Sequence, residues 1–102
     1  MEEKEIMVDA SKILYLKDTS LYPVVLKFLM NLDTNNLDNL YEDLIKDEKR
    51  YRYADIFDII TRLFFYISFL VNTKYPENCS FKIVKHYITK EKVLLKVLVK
   101  EL

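Results

Sequence analysis

Residues 55–73, DIFDIITRLFFYISFLVNT, decide how the rest of the chain must be arranged. Ile56, Phe57, Ile59, Ile60, Leu63, Phe64, Phe65, Tyr66, Ile67, Phe69, Leu70 and Val71 leave almost no polar face. A helix apolar around most of its circumference is a central core helix or a membrane span. Asp58 and Arg62 interrupt the run, so only Leu63 to Thr73 is free of charge. That stretch makes about 16 Å of helix, against a hydrocarbon core of about 30 Å. The expectation is a central buried helix over about 55–73 that other elements cover, not a transmembrane segment.

The 102 residues suit a single domain, 1–102, with no room for a second core. An apolar half with 31% charged residues fits a globular chain. Glycine and tryptophan are absent, so turn positions fall to Asn and Asp, as at Asn35, Asn36, Asn72 and Asn78. The acidic start leads into no long apolar region, which predicts no secretory signal. A lone cysteine, Cys79, forms no internal disulfide and suits a reducing interior; at the surface it could link two copies into a homodimer. The expected location is therefore intracellular. Net charge is zero but segregated: residues 1–48 carry five basic and eleven acidic side chains, and residues 81–102 carry six and two. Such a gradient either orients a partner or pairs internally across the fold.

Working outward, Ile6–Val8 and Ile13–Leu16 flank Asp9–Lys12, which predicts an N-terminal hairpin with a four-residue loop. Thr19 or Ser20 caps a helix over about Leu21–Leu32, with Pro23 in its first turn. Leu37, Leu40, Tyr41, Leu44 and Ile45 fall at helical spacing opposite Asp38, Glu42, Asp43, Lys46 and Asp47, giving a surface helix capped by Asn36. Thr73–Ser80, with Pro76, reads as a loop. Phe81–Ile88 and Val93–Val99 are rich in β-branched and aromatic residues, which favours a C-terminal hairpin around Thr89–Lys92. In that register Val84, His86, Ile88, Val93, Leu95 and Val97 share one face; a helix capped by Thr89 is the alternative. The fold class is α+β: hairpin, three helices, hairpin. An offset of 35 also sets Ser20–Leu29 against Asp55–Phe64, an internal duplication of a roughly 35-residue unit if it is real.

The chemistry is mostly negative. Without glycine the phosphate-cradling loops and the nucleophile elbow are missing, because both need backbone approach that a Cβ blocks. One His and one Cys do not supply the usual structural zinc patterns. Asp43 and Asp47 stand one turn apart on a polar face, where no burial raises a carboxyl into general-acid range. The expectation is no enzyme, no cofactor and no metal.

Two binding classes remain. Eight Tyr and six Phe exceed what one small core usually absorbs, and open strand edges accept extended peptides. This favours a protein or peptide partner, with Tyr15, Tyr22, Tyr41, Tyr66 and Tyr87 as candidate contacts. Lys49, Arg50, Tyr51, Arg52 and Tyr53 interleave bases and rings as a binder of phosphates and unpaired nucleobases would. Lys82, Lys85, Lys90, Lys92, Lys96 and Lys100 could extend that surface, but the acidic first half opposes it, so nucleic acid ranks second.

The lack of Gly, Trp and Gln, with stretches such as NLDTNNLDNLYEDLIKDEKRYRY and LFFYISFLVNTKYPEN, resembles the small proteins of filamentous viruses of hyperthermophilic archaea, those of Acidianus among them. The resemblance implies an intracellular or virion-associated setting in a hot host and carries over no functional residue. Such viruses also encode ribbon–helix–helix DNA-binding regulators; three helices after the first hairpin depart from that pattern.

Overall fold

A computed structural model describes residues 3–14, 22–30, 32, 36–46, 53–75 and 78–101. Their order is β1 (Lys4–Asp9), α1 (Tyr22–Leu29), α2 (Leu37–Lys46), α3 (Tyr53–Lys74), β2 (Cys79–Ile88) and β3 (Val93–Glu101). The three strands form one antiparallel sheet in the order β1-β3-β2, and the domain is α+β.

β3 lies between the other two strands, with one face wholly apolar and Leu94 and Leu98 adding to the other. Val93, Leu95, Val97 and Val99 are buried, and Leu94 and Leu98 between them are only half-exposed. Val8 and Ile6 of β1 lie opposite Leu95 and Val97, so they share that core-facing surface. Against it pack Ile56, Ile60, Leu63, Ile67 and Val71 of α3, and Val25, Phe28 and Leu29 of α1 complete the core.

The N-terminal hairpin is corrected. Ile6–Val8 does not pair with Ile13 and Leu14; β1 pairs with β3, from Lys4↔Val99 to Asp9↔Leu94. Ile13 and Leu14 instead close a tight turn, both donating their N–H to the Ala10 carbonyl (3.1 and 2.8 Å). Leu14 is buried, so the apolar run that reads as a strand plugs the core from a turn. Tyr15 and Leu16 lie outside the described residues.

β2 and β3 pair antiparallel across the Thr89–Lys92 turn, beginning Ile88↔Val93 and His86↔Leu95. The register then shifts between Ile83 and Lys85, leaving Val84 as the extra residue of a bulge. Beyond it Ile83 faces Val97 and Phe81 faces Val99, and both are buried, whereas Val84 is half-exposed. Val84, expected to share a face with His86, Ile88, Leu95 and Val97, is thus out by one residue, while His86 and Ile88 keep their places opposite Leu95 and Val93. An unbroken ladder would turn Phe81 and Ile83 to water and point Lys82 at the core, and burying each apolar side chain is worth about 1.5–3 kcal/mol. Burial wins over regular pairing.

α3 is also corrected. Its buried stripe faces the sheet, but the opposite side carries Asp58, Arg62, Phe65 and Phe69 in water, the last two 62% and 66% exposed. Ile56–Lys74 is long and apolar enough to cross a membrane by length and composition, and a third of it is buried. It is a one-sided helix, not a rod covered all round. Thr73 and Lys74 belong to it, and Cys79 opens β2 in a buried position, so the expected loop is shorter than 73–80.

α2 begins where the Leu40 N–H bonds to the Asn36 carbonyl (3.1 Å), with Asp38 in its first turn and Lys46 in its last, both favourable to the helix dipole. The offset of 35 sets eight-residue α1 against the first half of twenty-two-residue α3, and the next elements differ, a helix after α1 and a strand after α3.

Candidate functional site

The sheet has two outer edges, β1 and β2, and they are not equivalent. On β2 the Ile83 N–H donates to the Leu32 carbonyl (3.2 Å), and the bulge at Val84 interrupts the edge beside it. Both devices blunt a strand against further pairing. β1 has neither among the described residues. The Ala10 N–H bonds to the Val93 carbonyl (2.8 Å), continuing the register of Asp9↔Leu94. Hydrogen bonding alternates along an antiparallel pair, so Val8, Ile6 and Lys4 bond inward to β3. Glu5, Met7 and Asp9 therefore aim their N–H and C=O groups away from the sheet.

Their side chains stand on the sheet's open face, opposite Leu98, Lys96 and Leu94. Met7 is 53% exposed there, an apolar anchor between two carboxylates. Glu5 Oε2 takes Lys96 Nζ at 3.3 Å across the strands. The same face carries Lys82, Lys85 and Lys100 on the far side, with Lys85 directly opposite Lys96. Lys85 Nζ also lies 5.1 Å from the centre of the Tyr87 ring. Like charges facing each other across a ladder are destabilising, and the Glu5 carboxylate offsets this at Lys96.

The edge ends in a cleft of about 630 Å³ lined by Asp9, Ser11, Lys12, Ile13, Tyr66, Glu91 and Lys92. Two turns frame it. The Ser11 N–H donates to Asp9 Oδ1 (2.9 Å), while Ser11 Oγ accepts the Val93 N–H (2.9 Å). In the other turn Thr89 Oγ1 accepts the Lys92 N–H (3.0 Å). The Ser11 hydroxyl first, and its N–H second, hold the Asp9 carboxyl below the ordinary carboxylate range, with Lys92 and Lys12 adding to the effect. Asp9 is thus a fixed anion at neutral pH, an acceptor rather than a proton donor. Ser11→Ala is expected to raise the Asp9 pKa toward its ordinary value, read by NMR titration of its carboxyl carbon. Because the folded pKa is the depressed one, this contact stabilises the fold above the ordinary range and is lost as pH falls through the folded value.

The candidate tyrosines do not converge. Tyr66 lines the cleft, and Tyr87 stands on the open face, 38% exposed. Tyr41 is turned inward: its ring lies 4.2 Å from Phe57 and its hydroxyl bonds to Thr61 Oγ1. Thr61 gives its own proton to the Phe57 carbonyl (2.8 Å), so Tyr41 is the donor, and the pair clamps α2 to α3. Tyr15 and the side chain of Tyr22 lie outside the described residues, as do Lys49, Arg50, Tyr51, Arg52 and the side chain of Tyr53, which opens α3. Glu5, Met7 and Asp9 went unmarked by the sequence: EIMVD is an apolar triplet between two acids, a pattern that an edge strand and an inner strand share. Among the described residues no group of three or more His, Cys, Asp or Glu could hold a metal ion. No family model, curated protein or solved structure matches the chain.

Proposed function

We propose that the protein is a small, non-catalytic interaction module that takes an extended segment of a partner protein onto the outer edge of β1. The observation that supports this is the asymmetry of the edges, with β2 blunted and β1 presenting the outward amides of Glu5, Met7 and Asp9. An added strand gains main-chain hydrogen bonds from those amides and specificity from alternate side chains. The setting that the sequence resemblance implies makes the partner a viral or host protein inside an infected archaeal cell.

Met7→Pro tests the reading. Its N–H makes no ladder bond, so proline there spares the pairing with β3 but deletes the central outward donor. The expected result is that a displayed library of extended peptides enriches binders on the native protein and none of those binders is retained by the folded variant. Equal retention by both proteins, or no enrichment on the native protein, overturns the proposal.

Nucleic-acid binding, the reading drawn from the sequence of residues 49–53, is second, favoured by Lys82, Lys85, Lys96 and Lys100 on one open face beside Tyr87. A gel shift whose affinity falls steeply with salt supports it, and no shift at low salt eliminates it.

A further inference from the structure

Which strand would the β1 edge accept? The outward positions read acid, apolar, acid: Glu5, Met7, Asp9. We infer that the bound segment carries two basic residues four positions apart, Lys or Arg against Glu5 and Asp9, with an apolar residue against Met7 and apolar residues between. This rests on the edge reading above and adds the chemistry of the partner.

Residues directly opposed in an antiparallel pair share a face, so the incoming side chains beside Glu5, Met7 and Asp9 lie on the open side of the sheet. The carboxylates there attract ammonium or guanidinium groups. Within the fold Glu5 already pairs with Lys96, which reaches it diagonally from the inner strand, and the Glu5 side chain remains 59% exposed toward the other flank. Incoming residues at the intervening positions lie on the core side beside Ile6 and Val8, the first half-buried and the second buried. That neighbourhood favours Val or Ile. Because the pattern of β1 is close to symmetric, parallel and antiparallel approach demand the same sequence.

The same charges disfavour a second copy as the occupant. Pairing two β1 strands along their full length about a twofold axis sets Met7 opposite Met7 and Glu5 opposite Asp9 twice. Acid against acid destabilises that register, as edge charges do elsewhere against self-pairing. The pattern the edge asks for does occur in this chain, at Lys96-Val97-Leu98-Val99-Lys100, where Val97 and Val99 enter the core and the lysines stand on the open face. That segment is the inner neighbour of β1 and supplies the sequence of a probe.

The experiment titrates the whole protein with a blocked peptide, Thr-Lys-Val-Leu-Val-Lys-Thr, and with its counterpart carrying Glu at both Lys positions. Amide NMR shifts and calorimetry are read together. The expected result is that the Lys peptide shifts the Glu5, Met7 and Asp9 amides and binds about tenfold tighter than the Glu peptide at low salt. The ratio narrows toward one above roughly 0.5 M salt, and Glu5→Gln narrows it by about threefold. Equal or tighter binding of the Glu peptide at those amides overturns the charge preference and leaves the edge reading standing. No shift of those amides by either peptide overturns both.

Discussion

Leu63→Ala lowers the free energy of unfolding by about 2–5 kcal/mol, while Phe69→Ala on the same helix changes it by less than about 0.5 kcal/mol. Both residues sit in the charge-free part of α3, and composition does not separate them. Leu63 is fully buried against the sheet, so truncation leaves a cavity ringed by side chains that cannot all close over it. Phe69 is two-thirds exposed and loses little that water does not replace. Urea titrations of the two variants followed by circular dichroism give the comparison. Equal losses would mean that α3 is covered on all sides after all.

Ile83→Ala is expected to cost about 2–5 kcal/mol, and Val84→Ala less than about 1 kcal/mol, in the same measurement. The bulge is what separates these neighbours. Ile83 is completely buried opposite Val97, whereas Val84 is the supernumerary residue with no ladder partner. A regular hairpin predicts the reverse order of costs, because it sends Val84 into the core. The pair of variants therefore reads the register directly.

These two cases mark where the sequence is legible and where it is not. The 3.6-residue pattern of Leu37, Leu40 and Tyr41 gives α2 its place, and the Asn36 carbonyl takes the Leu40 amide at its start, because helix periodicity and start signals are local. The α+β class is legible for the same reason. Strand faces beyond Lys85 are not local: one inserted residue inverts every position after it, and only the match of Phe81 and Ile83 to the core decides where the insertion falls. The role of Ile13 and Leu14 is hidden likewise, since an apolar run is equally compatible with a strand and with a turn that closes a core. The one-sidedness of α3 escapes the sequence because nothing in LFFYISFL says how many elements are available to cover it.

The candidate site was less visible than the fold. Tyr41 looks like any surface aromatic until its partner Thr61 is known, twenty residues away. Tyr66 could be found as an aromatic on α3, but its cleft is made by two turns from opposite ends of the sequence. The outward amides of Glu5, Met7 and Asp9 carry no side-chain signature at all. They become a candidate only because β3 pairs with one side of β1 and no described backbone group bonds to the other.

The pairing of residues 4–9 with 94–99 has a consequence for how the chain is made. Closing so long a loop is among the slowest steps open to a small protein. During synthesis the first strand leaves the ribosome long before its permanent neighbour has been assembled, and for that interval both its flanks are bare. Acid opposite acid at Glu5 and Asp9 disfavours the in-register pairing of two such bare strands during that interval.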